Sequence, residues 1–88
     1  VTTTTTVRVA VRYFAAARAA AGVESENLTL PAGTTVQDLV DELASRSPEL
    51  SRVLARCSYL CDGVAVRDTG IGLSNAQTLD VLPPFAGG

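Results

Sequence analysis

One segment of this chain, Thr35 to Ala44, carries a long amphipathic helix signal, and it constrains every other segment. Val36, Leu39, Val40, Leu43 and Ala44 fall at i, i+3, i+4, i+7 and i+8, which puts one apolar stripe on an otherwise polar helix. Thr35 is a good N-cap, and Asp38 three residues later supplies an acidic variant of the capping box; both suit the positive helix start. Ser47-Pro48 predicts the stop. A helix with a single apolar stripe must bury it against another layer. Eighty-eight residues with 47% hydrophobic content make one small domain with one core. The smallest two-layer solution is a helix laid across one face of a single mixed sheet, an α+β fold.

The remaining segments supply the strands. Val7, Val9, Val11 and Tyr13 alternate with Arg8 and Arg12, which predicts a half-buried first strand from Val7 to Phe14. Ala15 to Ala21 reads as a short helix closed by Gly22. Asn27 to Leu30 is a second strand, ended by Pro31-Ala32-Gly33, and could form a hairpin with the first. Beyond the main helix, Glu49 to Arg56 reads as a further helical turn and Ser58 to Leu60 as a third strand. Asp62-Gly63 is a turn signal, Val64 to Val66 a short extended piece, and Asp68-Thr69-Gly70 another turn. Thr78 to Leu82 is the last strand, expected inside the sheet beside the first; Pro83-Pro84 must end it, because neither can donate a ladder hydrogen bond. The expected organisation is a mobile segment over residues 1–6, a domain over 7–82 and a flexible tail over 83–88.

Composition removes whole classes of chemistry. The net charge is −2 and all seven basic residues are arginines spread along the chain, which argues against nucleic acid. With no lysine or histidine, the chain has no lysine amine for Schiff-base work and no imidazole base near neutral pH. There is no run of 18 apolar residues to suggest a membrane span, and the threonine-rich start is unlike a secretory signal, so a cytoplasmic protein is expected. Cys57 and Cys61, if both lie on one strand, stand about 13 Å apart at roughly 3.3 Å per residue, too far for a disulfide. Zinc would need two further ligands, and no histidine exists to supply them, so no metal is expected. Both cysteines read as small apolar core residues.

The chemistry-bearing feature is the ending, Leu82-Pro83-Pro84-Phe85-Ala86-Gly87-Gly88. Two glycines without Cβ can thread a slot that excludes any other residue. Pro83 and Pro84 favour an extended path and lower the entropy lost on insertion. From Pro83 to Gly88 the segment reaches at most about 20 Å. Phe85 is the expected apolar anchor.

Together these segments resemble the ubiquitin-like β-grasp proteins and, more narrowly, the family of molybdopterin synthase small subunits, which are sulfur carriers. The resemblance covers about Val7 to Gly88. It rests on Val11 to Ala15 with Arg18 and Gly22, on Leu30 to Val36 with Leu39 and Leu43, on Pro48 and Leu50, and on the Leu82 to Gly88 tail. Members often have Gly-Asp where this chain has Ala76-Gln77, and an acidic residue where it has Ala19. The resemblance implies a carrier that is not an enzyme alone and binds no cofactor, with catalytic side chains on the large subunit. An adenylyltransferase related to ubiquitin-activating enzymes would use ATP to adenylate Gly88. A sulfur donor protein would then displace AMP, leaving a thiocarboxylate. The tail, with Gly87, Ala86, Phe85, Pro84 and Pro83 threading and docking, would enter the large subunit of molybdopterin synthase. There the sulfur would pass to a cyclic pterin precursor of the molybdenum cofactor. The same ending also fits a carrier for thiamine thiazole or cysteine biosynthesis, a ubiquitin-like modifier of target lysines, or a β-grasp binding module.

Overall fold

The structure, a computed structural model, describes residues 5–84. Alternation in the first segment produces strand β1, Thr6–Tyr13, with Val7, Val9, Val11 and Tyr13 buried and the residues between them facing away. Helix α1, Ala15–Ala21, follows at once from Phe14. Gly22 closes it at φ +79°, its N–H bonded to the Arg18 carbonyl at 2.9 Å, a left-handed position that suits glycine. Strand β2, Ser25–Pro31, then returns antiparallel to β1, with Val9 opposite Leu28 and Val11 opposite Glu26.

This pairing corrects two expected boundaries. Strand β2 is longer than Asn27–Leu30, and Thr6 lies in β1 opposite Pro31. The Thr5 carbonyl accepts from Ala32 N–H at 3.0 Å. Thr5 and Thr6 therefore belong to the folded domain, because the longer β2 gives them a backbone partner; residues 1–4 lie outside the described residues.

Helix α2, Val36–Ala44, forms with the expected capping box. Asp38 N–H donates to Thr35 Oγ1 at 3.1 Å, and Thr35 N–H donates to Asp38 Oδ2 at 3.1 Å. Val36, Leu39 and Leu43 are fully buried and Val40 packs against the core. Ser47-Pro48 starts a helix as well as stopping one. Ser47 Oγ accepts from Leu50 N–H at 3.0 Å and Pro48 takes the first position of helix α3, Pro48–Leu54, where its missing N–H costs nothing.

Strand β3, Ser58–Cys61, turns through Asp62 (φ +50°) and Gly63 (φ +81°) into strand β4, Val64–Ala65. Positive φ at both central residues is the type I′ hairpin geometry that Asp-Gly favours. Strand β5, Gln77–Leu82, completes a five-stranded sheet of order β2-β1-β5-β3-β4. It runs parallel to β1 and antiparallel to β3, and all other pairs are antiparallel. The helices cover one face, where Leu50, Leu54, Ala17 and Leu73 join the strand residues in one core. This is the β-grasp arrangement.

Candidate functional site

The candidate site is where the chain leaves the sheet. Strand β5 is held on both sides, Val81 opposite Tyr13 of β1 and Tyr59 of β3, and Phe14 N–H adds a bond to the Val81 carbonyl at 3.3 Å. Leu82 still pairs with Ser58, and Pro83-Pro84 then ends the ladder as the sequence requires.

The open face of the sheet stiffens the same strand. Asp80 is 6% exposed and is the one buried charged residue among those described. Arg12 grips it with both arms of its guanidinium, Nε to Oδ1 at 2.6 Å and Nη2 to Oδ2 at 2.8 Å. That bidentate geometry suits arginine and not lysine. The hydrogen bond and charge of Asp80 hold the guanidinium pKa above its ordinary value. Arg12 also stacks 5.6 Å from the Phe14 ring centroid, linking β5 to the β1–α1 junction.

Of the predicted tail residues, Pro83 is buried and Pro84 is exposed. Phe85, Ala86, Gly87 and Gly88 lie outside the described residues. Pro83 and Pro84 form one wall of an open groove of about 630 Å³ between α1 and α3. Ala16, Val53 and Ala55 give the groove an apolar lining, and Arg52 and Arg56 stand at its edge. Sequence reading scattered the arginines along the chain and missed this pair. Arg52 sits in the last turn of α3 and Arg56 in the turn beyond it, so the pair depends on how the chain leaves the helix and had no periodic signal in the sequence.

Nothing described at the exit is a nucleophile or general base. Cys61 is buried in the core; Cys57 is half-buried and donates its thiol to the Val53 carbonyl at 3.1 Å. Burial pushes both thiols above their ordinary 9.0, which keeps them protonated near neutral pH. Among the described residues no three His, Cys, Asp or Glu side chains converge as a metal site, and no helix is long and apolar enough to cross a membrane. Among the described residues, those at the exit present an apolar surface edged by two arginines.

Comparison with known proteins agrees with this geometry. The ThiS family model matches residues 11–88, from the middle of β1 to the last glycine. The molybdopterin synthase sulfur carrier subunit of Arabidopsis thaliana is 32% identical over 85 residues, covering 97% of this chain and 88% of the relative. SAMP1 from Haloferax volcanii superposes with a TM-score of 0.79 at 26% identity, over 92% of this chain and 99% of that one. In the complex of subunits 1 and 2 of molybdopterin-converting factor from Helicobacter pylori, the matched chain has a TM-score of 0.70. It is 20% identical over 93% of this chain and 100% of that one, a likeness of fold. A β-grasp sheet whose interior last strand delivers a Pro-Pro-x-x-Gly-Gly segment, matched by one family over nearly its whole length, places this chain in the ThiS family.

Proposed function

We propose that the chain is the sulfur carrier subunit of molybdopterin synthase and that its reactive atom is the carbonyl carbon of Gly88. The observation that carries the reading is the exit geometry. An interior strand, clamped through Asp80, hands over at a buried Pro83 to a segment that narrows to two glycines. The name of the Arabidopsis relative supports the pathway.

In this reading an adenylyltransferase joins the Gly88 carboxylate to the α-phosphorus of ATP and releases pyrophosphate. Sulfide-level sulfur from the donor protein attacks the acyl carbon, AMP leaves, and the thiocarboxylate remains. The large subunit then takes the tail, supplies the acid–base and cationic groups this chain lacks, and moves the sulfur to a pterin precursor. Water supplies the oxygen that returns Gly88 to the carboxylate as the sulfur leaves. The absence of lysine fits this use, because an activated Gly88 meets no ε-amine of its own chain or of a second copy.

Co-expression with the cognate activating enzyme and sulfur donor tests the proposal. The intact mass should show one oxygen replaced by sulfur, located at Gly88 by fragmentation. The thiocarboxylated chain should then yield molybdopterin with purified large subunit and precursor. A chain that stays a carboxylate beside competent enzyme, ATP and donor overturns the carrier reading. A thiocarboxylate that the large subunit cannot use redirects it to another sulfur acceptor, such as a thiazole or cysteine precursor. The likeness to SAMP1, a small archaeal modifier protein, favours a second reading as a protein modifier. Isopeptide-linked Gly88 on lysines of other proteins would identify that role.

A further inference from the structure

An apolar groove edged by Arg52 and Arg56 lies at the root of the tail. Both arginines are exposed, and among the described residues neither has a carboxylate within 4 Å. The ion pairs present engage Arg12 with Asp80 and Arg46 with Glu26. The chain as a whole is acidic, with net charge −2, so this edge is a local positive feature against an opposite background. Between the arginines the surface is apolar, formed by Ala16, Val53 and Ala55.

Reach connects the groove to the tail. Four residues follow Pro84, and fully extended they span at most about 14 Å. A slot that encloses the Gly88 carbonyl carbon must therefore bring its mouth to within about that distance of Pro84. Pro84 itself lines the groove, so the α1–α3 surface lies within reach of the rim of such a slot. Whatever meets that surface must fill an apolar depression and face two guanidinium groups that have no ion-pair partner among the described residues. Opposite charges there steer the encounter and fix the angle at which the tail enters.

We propose that this groove is the docking surface for the large subunit's slot mouth, which meets Arg52 and Arg56 with carboxylates and the apolar lining with one hydrophobic side chain. The inference rests on the carrier reading and adds to it the chemistry of the partner's rim. The tail then supplies reach and reactivity, and the groove supplies orientation.

The test measures affinity of the full chain for the purified large subunit by calorimetry at low and high salt. It compares the unaltered chain, Arg52→Glu/Arg56→Glu, and Arg67→Glu, which reverses an exposed arginine that does not line the groove. Circular dichroism and a thermal melt establish that each variant folds. The double reversal should weaken binding at low salt by about tenfold or more, with the deficit shrinking as salt is raised. Arg67→Glu should change it less than about twofold. Val53→Asp should also weaken binding, and high salt should not rescue it. An unaffected double variant overturns the proposal while the binding of the unaltered chain leaves the carrier reading standing. A loss from Arg67→Glu about half that of the double variant on a logarithmic scale, in proportion to their charge changes of about −2 and −4, would show an effect of net charge alone and overturn it too. Sedimentation that shows a dimer broken by the double reversal assigns the groove to a second copy and overturns the stated occupant. An unaltered chain that fails to bind the large subunit at all sinks both readings.

Discussion

Ala76 holds its backbone at φ +66°, a left-handed conformation in which an L side chain crowds the following carbonyl at a cost of roughly 1–2 kcal/mol. The turn keeps it there with bonds from its neighbours. Ala76 N–H donates to the Arg8 carbonyl at 2.8 Å, Asn75 Oδ1 accepts from Arg8 N–H at 2.9 Å, and Gln77 Oε1 accepts from Ser74 N–H at 2.7 Å. The turn before the last strand is thus held with Ala76-Gln77 in place of the Gly-Asp that the resemblance leads one to expect. Ala76→Gly should stabilise the domain by about 1 kcal/mol, raising the melting midpoint by several degrees in a chain of this size. A lower midpoint would mean that the loss of unfolded-chain restriction outweighs the relief of strain. Asp62, at φ +50° before Gly63, occupies a similar conformation at a position where aspartate is favoured.

Among the helices, α2 was the most legible; α3 was expected as a helical turn over Glu49 to Arg56 and forms over Pro48–Leu54. Both halves of the α2 capping box could be read from Thr35 and Asp38, since a cap depends on residues three apart. Thr35→Ala should remove the bond to Asp38 N–H and cost about 1 kcal/mol, seen as a lower urea midpoint at unchanged slope. An unchanged midpoint would show that the isolated bridge from Thr35 to Gly72, and not the cap, fixes the helix entry. Around Ser47-Pro48 the sequence signal is ambiguous, because the same dipeptide can end one helix and cap the next. Packing of Leu50 and Leu54 into the shared core decides for a second helix.

At the scale of the whole molecule, burial of weak acids sets a limit on the alkaline side. Desolvation, with the nearby Glu26 carboxylate, pushes the Tyr13 hydroxyl well above its ordinary 10.0. Burial pushes Tyr59 up to about 12, and the Cys57 and Cys61 thiols also rise. Each group holds its proton more tightly folded than unfolded. The stability it contributes is complete below its unfolded pKa and is lost as pH rises through the folded one. Unfolding free energy should therefore fall from about pH 9, where unfolded thiols ionise, and more steeply above pH 10, where unfolded tyrosines follow. Urea titrations from pH 8 to 11 measure this, and Tyr59→Phe should flatten the upper limb. A flat profile to pH 11 would show that these hydroxyls and thiols are better solvated than their packing implies.

Local patterns determined the alternating strands, the amphipathic helix and its cap, the Asp-Gly turn and the end of the ladder at Pro83-Pro84. Each depends on residues within a few positions of one another. Composition had already taken lysine and histidine chemistry off the side chains. The placement of β5 between β1 and β3 was expected, but its register, Val81 between Tyr13 and Tyr59, comes from contacts across more than sixty and twenty residues respectively. The pairing of Arg12 with Asp80 depends on that register, which a shift of one residue would break by turning one side chain to the other face. Burial of Pro83 and the meeting of Ala16 with Arg52 and Arg56 also needed the tertiary structure. Spacing along one helix can be read from a sequence, but which surfaces enclose the exit of another segment is fixed only when long-range packing closes the core.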